Sequence, residues 1–306
     1  MINLTEAGKP HRHDRYDYLP ITAAAAAAWP NGKQLAVYVA IGIEDYSFDM
    51  GHTENLLSDV PSPDLVNASW RDYGNRVGAF RLLKRLELFG IPPTILLNTA
   101  AYESAPDLMI EVRRLNAEIV GHGISNSDSL HGLSADEERG YLQAVSEHVH
   151  RYEGEFPRGW SSPWLTHTAN TLDLLPEVGY RYVLDLRLDD RPTWLNTSGS
   201  PLLALPYALE LNDSTSIIDR HVSASDFADM IIDEFDELLS AADEQPLVMS
   251  IVLHAFISGA PFRLKQISRA LHYLASHSDT VWFTQPRGIY AAVVSQSGIQ
   301  TGRTEQ

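Results

Sequence analysis

Short, almost continuous apolar runs alternate with amphipathic segments along most of this chain. Leu35–Glu44 is the clearest run, and its β-branched residues are typical of a parallel strand buried on both faces. Apolar residues with helical spacing follow in Asp72–Phe89 and recur in Ser134–Glu153 and Ala224–Ala242. Strands that alternate with helices indicate a parallel α/β architecture. Because no linker or repeat divides the pattern, we predict a single barrel, although a doubly wound open sheet would show the same alternation.

The two ends of the chain depart from this alternation. Residues 1–20 are polar and aromatic, and we predict that residues 1–30 form an arm lying on the body or on a neighbouring subunit. The barrel is predicted to span residues 31–292, with residues 293–306 as a C-terminal tail. Residues 46–71 show no clear period, and a loop of that length is usually functional. Among the shorter runs, Ser216–Ile218 is predicted to be a strand.

The charge balance restricts the partners that this protein can have. Lys and Arg number 23 against 40 Asp and Glu, a formal net charge of −17. We therefore expect neither nucleic acid nor membrane as a partner, because both reward clustered positive charge. The chain has no cysteine, no apolar run of roughly 18 residues and no apolar core of a signal peptide near its start. We expect a cytoplasmic homo-oligomer that acts on a small molecule.

Several predicted strands end in residues that can carry out chemistry. In a barrel the carboxyl ends of the strands meet on one face, so these side chains would converge there. Each has an ordinary structural explanation by itself, such as a turn histidine or a helix cap. Together they offer a general base, a general acid and a metal ligand. The residues are Glu44 with Asp45, His122 between two glycines, Pro163 with Trp164, Asp185, and His254.

The order of these residues resembles the NodB-homology family of polysaccharide deacetylases, and especially its branch of allantoinase-like, cyclic-amide hydrolases. The resemblance extends from about residue 30 to about residue 290. It implies a distorted (β/α)7-type barrel and an enzyme that hydrolyses a non-peptide carbon–nitrogen bond. The bond would belong to an amide, a ureide, a cyclic imide or the N-acetyl group of an amino sugar. The matching motifs are Trp70–Gly78, Asp189–Trp194, Pro206-Tyr207 with Asn212-Asp213, and Leu253-His254 followed by Ser258-Gly259, Pro261 and Arg263.

The resemblance also implies roles for individual residues. Glu44 matches the catalytic base, which would activate water, and His254 matches the general acid. Asp185 matches the acidic residue that would orient the acid histidine. The residues expected to bind the substrate are Trp160, Pro163, Trp164, Asp189, Trp194 and Tyr207.

Two positions depart from the deacetylase pattern. Asn126 stands where the second metal-binding histidine would lie, and asparagine is a poor ligand for zinc. Ser161 stands where the family has the arginine of an Arg-Pro-Pro-Tyr motif. We therefore expect one divalent metal, zinc or similar, to be held weakly by Asp45, His122 and Asn126, or to be absent. His131 could supply the missing nitrogen, but a solvent-exposed loop histidine explains that residue equally well.

A barrel that binds a sugar or a small amide without catalysis is the alternative function. Replacement of the second metal histidine would suit such a protein. Retention of Glu44, Asp185 and His254 argues for an enzyme. The substrate itself is not specified by the sequence.

Overall fold

The strands of this protein form one mostly parallel sheet. A computed structural model describes residues 13–23 and 29–297. Within these ranges the strands are β1 (Leu35–Ile43), β2 (Pro93–Leu97), β3 (Glu118–Gly121), β4 (Gly159–Trp160), β5 (Tyr182–Val183), β6 (Thr193–Leu195), β7 (Leu202–Ala204), β8 (Leu247–His254) and β9 (Val281–Phe283). Their order in the sheet is β6-β7-β5-β4-β3-β2-β1-β8, with β9 beside the start of β1.

The sheet curls into a partly closed barrel, as predicted. Pairing is parallel throughout except between β6 and β7, which are antiparallel. Past β7 the chain returns to the free edge of β8, where the backbone N–H of Val252 donates to the carbonyl of Leu211. A bridge between Asn212 and Val252 lies at the same place. The gap between β8 and the far end of the sheet is therefore narrowed by an irregular segment and not by a regular strand.

Helices cover the outside of the sheet. The helices are α1 (Leu65–Tyr73), α2 (Ala79–Leu88), α3 (Ala101–Ser104), α4 (Pro106–Arg114), α5 (Ala135–Glu153), α6 (Thr171–Val178), α7 (Ala224–Ala241), α8 (Ala255–Ser258), α9 (Pro261–Ala275) and α10 (Pro286–Ser297). A π-helical turn over Gly74–Gly78 joins α1 to α2. No helix in the described parts of the chain is long and apolar enough to span a membrane.

Three details differ from the sequence-based expectations. The first helix begins at Leu65, seven residues before the predicted start at Asp72, because Asp64 caps it by accepting from the N–H of Asn67. The predicted strand Ser216–Ile218 is wrong, since these residues lie in a π-helical turn. Helix α10 continues to Ser297, across the predicted boundary at residue 292.

The described part of the N-terminal arm lies on the body of the same chain. Arg15 forms an ion pair with Asp173 at 2.8 Å and donates to the carbonyl of Ala169. The backbone N–H and the side-chain amide of Asn196 donate to the carbonyls of Arg15 and Asp14. The rest of the predicted arm, residues 1–12 and 24–28, lies outside the described residues.

Alternate residues of β1 pack on opposite sides of the sheet, as the two-residue period of a strand requires. Odd-numbered residues from Leu35 to Ile43 belong to the core between the sheet and the helices. Even-numbered residues from Ala36 to Ala40 belong to the core inside the barrel, and β8 follows the same rule with Val248 and Val252. Glu44 and His254 are also even-numbered and extend the same alternation at the ends of β1 and β8. Both side chains therefore point into the carboxyl end of the barrel.

Two glycines bring the first helices very close to the chain that follows His254. A Cβ atom on Gly78 would lie 1.9 Å from the carbonyl oxygen of Ala255, the first residue of α8. A Cβ atom on Gly259 would lie 2.3 Å from the Cα atom of Gly78. Only residues without a side chain permit this approach, which fixes the position of the backbone beside His254.

We expect Gly78→Ala to lower the free energy of unfolding by about 1–3 kcal/mol or more, because the added methyl group overlaps backbone that cannot move cheaply. Gly140→Ala is the matched control, since Gly140 lies in α5 with no atom near its Cβ position. That change should raise the free energy of unfolding by up to about 1 kcal/mol. Urea denaturation measures both, and equal effects of the two changes would contradict the proposed close contact.

Candidate active site

Glu44 is the centre of a buried polar cluster at the carboxyl end of the barrel. Its carboxylate oxygen Oε1 lies 3.3 Å from Nε2 of His254 and 3.6 Å from Nε2 of His122. The other oxygen, Oε2, accepts a hydrogen bond of 2.7 Å from the hydroxyl of Tyr46. Burial favours the neutral acid, but the interactions with His254 and His122 outweigh it and hold the pKa of Glu44 well below its usual value. Glu44 is therefore ionised at neutral pH.

His254 lies between two carboxylates. Its Nδ1 is 2.6 Å from Oδ1 of Asp213, and its backbone N–H also donates to that carboxylate. The hydroxyl of Ser258 donates to the second oxygen of Asp213. Burial alone would lower the pKa of His254, but Glu44 and Asp213 raise it well above its usual value. The imidazole is therefore held in its charged form, with a proton on the nitrogen that faces Glu44.

His122 is oriented by the backbone. Its Nδ1 lies 2.8 Å from the carbonyl oxygen of Ser161. Because a carbonyl only accepts, Nδ1 carries a hydrogen and Nε2 is the nitrogen that faces Glu44. Ser161, where the family pattern has arginine, is fully buried and supplies this backbone contact. Glu44, His122 and His254 thus meet as predicted.

Asp185 does not orient His254, and that prediction is wrong. Its oxygen Oδ1 accepts from the backbone N–H of Ser162 at 2.8 Å, and Oδ2 lies 2.7 Å from Nε2 of His167. Asp185 therefore forms a second histidine–carboxylate pair, on the part of the sheet that carries β4 and β5. Asp213 takes the role beside His254, because the irregular segment after β7 lies next to β8.

Half of the predicted substrate-binding residues lie near Glu44 and His122. Pro163 packs against Gly123, directly after His122. The indole N–H of Trp164 donates to the carbonyl of Asn126, and this tryptophan is 39% exposed at the rim. Tyr207 is buried inside the barrel, close enough to Glu44 for that charge to raise the pKa of its hydroxyl, which burial already raises.

The other three predicted binding residues are placed elsewhere. Trp160 is fully buried on the helix side of the sheet, with its ring 5.2 Å from that of Tyr180. Trp194 packs against Tyr290 of α10. Asp189 forms an ion pair with Arg191.

Asp189 lies toward the amino end of the barrel. The carbonyl of Asp190, next to Asp189, accepts from the backbone N–H of Val248, six residues or about 20 Å of extended strand before His254. Asp189 is therefore too far from Glu44 to bind the same small substrate. Among the described residues, no hydrogen bond or ring contact joins Trp194 to Glu44, His122 or His254.

The predicted metal ligands form a weak set for zinc, with one nitrogen donor, one carboxylate and one neutral amide. Deacetylases of this family depend on a metal in general. Here Asp45 accepts a hydrogen bond of 2.6 Å from Ser104. The amide nitrogen of Asn126 donates to Tyr46, and its oxygen is buried without a hydrogen-bond partner. Over residues 13–23 and 29–297, no group of three or more His, Asp or Glu side chains is arranged to hold a metal ion. The residues present therefore do not fit a zinc ion.

Two residues of the cluster were missed by sequence reasoning. Asp213 belongs to the quoted pair Asn212-Asp213, so its motif was recognised although its role was not. Tyr46 stands two residues after Glu44 in extended backbone, and the two-residue period of a strand could have placed both side chains on the same side. His131, the alternative ligand, is exposed and its backbone N–H is bonded to Ser129.

Known proteins resemble this chain over most of its length. The crystal structure of PuuE allantoinase has a TM-score of 0.81 at 27% sequence identity and covers 93% of this chain and 100% of its own. The peptidoglycan deacetylase of Helicobacter pylori is 23% identical over 255 residues, 73% of this chain and 85% of its own. A relative in Schizosaccharomyces pombe, also named as a polysaccharide deacetylase, is 24% identical over 287 residues, 83% of this chain and 88% of its own. No family model matches the chain.

The curled parallel sheet is shared with the PuuE allantoinase structure. The buried cluster around Glu44 lies at the carboxyl end of that sheet, where the order of motifs along the sequence predicts it. The comparisons and the placement of the cluster therefore support the predicted resemblance to the NodB-homology family of polysaccharide deacetylases, together with its allantoinase-like members.

Proposed function

We propose that this protein hydrolyses a non-peptide carbon–nitrogen bond of a small molecule, with Glu44 as the base and His254 as the acid. The observation that carries the proposal is the buried pair of a carboxylate and an imidazolium, 3.3 Å apart and backed by Asp213. Amide hydrolysis needs a proton taken from water and a proton given to the departing nitrogen. The relatives named as deacetylases and as an allantoinase support an N-acetyl, amide or ureide substrate.

Glu44 would take the proton from the attacking water. Its low pKa makes it a weak base while it contacts His254 and His122 directly. A substrate and a water molecule that enter between Glu44 and His254 would lengthen these contacts and restore its basicity. Tyr46 would hold the carboxylate in place through its hydroxyl.

His254 would return a proton to the leaving nitrogen. An amine leaves poorly unless it is protonated, so the acid must keep its proton until the bond breaks. Asp213 favours the charged imidazole and fixes the ring through Nδ1, which leaves Nε2 to face the substrate.

The expected homo-oligomer and the cytoplasmic location stay predictions.

Glu44→Gln should reduce turnover by at least about a hundred-fold, because general base help is typically worth about 10²- to 10⁴-fold. A panel of N-acetyl sugars, ureides and cyclic imides, followed by release of acetate or ammonia or by ring opening, measures this. His254→Ala should lose at least as much on the same substrate. If the wild-type protein binds members of the panel but hydrolyses none, the alternative of a non-catalytic binding barrel is supported.

Asp213→Asn should move the alkaline limb of the pH–rate profile to lower pH. Loss of the carboxylate lowers the pKa of His254, so the proton that the leaving nitrogen needs is lost at a lower pH. Asp185→Asn is the matched control, because it removes a carboxylate from His167 and not from His254. An unchanged limb in Asp213→Asn, or the same displacement in both variants, would contradict the assignment of His254 as the acid.

We expect the purified protein to hold less than one metal ion per chain after dialysis against a chelator, and to keep its activity. The reason is that His122 is the one nitrogen ligand of the predicted set, and Asn126 offers only a neutral amide oxygen, which is a poor ligand for tetrahedral zinc. Elemental analysis together with the assay checks this. One tightly bound zinc whose removal abolishes turnover would show that the ligand set is different.

A further inference from the structure

A second glutamate approaches the active site from the segment between β1 and α1. Glu54 is only 8% exposed although it belongs to a loop. The loop is fastened to the chain after β3 by hydrogen bonds from the backbone N–H groups of Ser47 and His52 to Ser127. A third bond, from the N–H of Asn126 to the carbonyl of Asp45, strengthens this attachment. The loop that carries Glu54 is therefore attached to the chain that follows His122.

The carboxyl group of Glu54 is fixed through one oxygen only. Oε1 accepts a hydrogen bond of 2.6 Å from the hydroxyl of Ser214, the residue after Asp213. The backbone carbonyl of Glu54 accepts from the buried guanidinium of Arg71 at 2.8 Å. Among the residues that the structure describes, Oε2 accepts no hydrogen bond. One carboxyl oxygen thus remains available to a ligand.

Charged groups from every neighbouring element face Glu54. Glu44 and Tyr46 follow β1, Asp213 follows β7, and His254 ends β8. Arg71 of α1 lies beneath, with its guanidinium 5.0 Å from the centre of the Tyr46 ring. Burial raises the pKa of Glu54 to about 7, with His254 acting in the opposite direction and Glu44 adding to the rise. The pKa values of Glu44 and His254 are displaced away from neutral pH, whereas that of Glu54 is brought to it.

We propose that Glu54 is a substrate-binding residue whose carboxylate accepts a hydrogen bond from an N–H group of the substrate. The inference rests on the proposed function of the same site. It adds a residue that favours substrates with an N–H group over substrates without one. The neutral acid cannot provide this acceptor in the same way, because ionised acceptors form the stronger hydrogen bonds. Binding therefore weakens as the pH falls below neutral.

Calorimetric binding of hydantoin, a cyclic ureide with two N–H groups, tests the proposal without requiring turnover. We expect the wild-type protein to bind hydantoin up to about tenfold more tightly at about pH 8 than at about pH 6, since the ionised fraction of a group titrating near 7 changes by about that factor. Glu54→Gln should weaken binding at the higher pH by roughly ten- to a hundred-fold. It should also remove this part of the pH dependence.

Glu118→Gln is the matched control for a buried glutamate. Burial raises the pKa of Glu118 to about 7 as well, but its carboxylate accepts from the backbone N–H of Arg287 and from the hydroxyl of Tyr182 at the amino end of β3. This variant should bind hydantoin as the wild-type protein does. Any pH dependence that arises from other groups will persist in Glu54→Gln.

A second ligand and a second variant distinguish loss of this hydrogen bond from a general loss of binding. With 1,3-dimethylhydantoin, which has no N–H group, wild-type protein and Glu54→Gln should bind equally weakly. Ser214→Ala, which frees Oε1, should weaken hydantoin binding less than Glu54→Gln does. Failure of the wild-type protein to bind hydantoin, or equal losses with both ligands, would overturn the proposal. Because hydrolysis is measured separately on the substrate panel, such a failure would leave the proposed function standing.

Discussion

The imidazole of His254 between the carboxylates of Asp213 and Glu44 is the interaction on which this active site depends. Three ionisable groups are removed from water there, and the cost of doing so is offset only because each charge faces an opposite one at hydrogen-bonding or near hydrogen-bonding distance. Loss of His254 would leave two buried carboxylates without their countercharge, and loss of either carboxylate would weaken the compensation of the imidazolium charge. The cluster therefore requires β1, β8 and the segment after β7 to be held together accurately.

The strands that carry the cluster are the longest and most regular in the sheet. β1 and β8 pair in register from Leu35 with Leu247 to Gly42 with His254. This long pairing fixes the relative height of Glu44 and His254, and the parallel direction places both at the same end. Asp213 is added from an irregular segment, which is anchored by the bridge between Asn212 and Val252. The paired strands β1 and β8 thus hold Asp213 in place, although Asp213 itself lies outside regular secondary structure.

The same distinction explains what the sequence could predict. Glu44, His122 and His254 directly follow apolar runs, so the rule that strand ends converge was sufficient to place them together. Asp213 follows no predicted strand. The role of orienting His254 was therefore assigned to Asp185, which does follow one. For aromatic residues the failure has another cause: Trp160 and Trp194 are large and apolar whether they bind a ligand or fill a core. Composition alone does not indicate the side of the sheet or the end of the barrel.

The close approach of Gly78 and Gly259 has a consequence for the history of the family. A Cβ atom on Gly259 would overlap the backbone of Gly78, and one on Gly78 would overlap the carbonyl of Ala255. Substitution at either site would have to be accompanied by movement of α8, which begins at the residue after His254. Any selection on the position of His254 therefore also acts on two glycines outside the polar cluster. In diverging relatives these two positions should stay glycine together, or change together with the segment that follows the histidine.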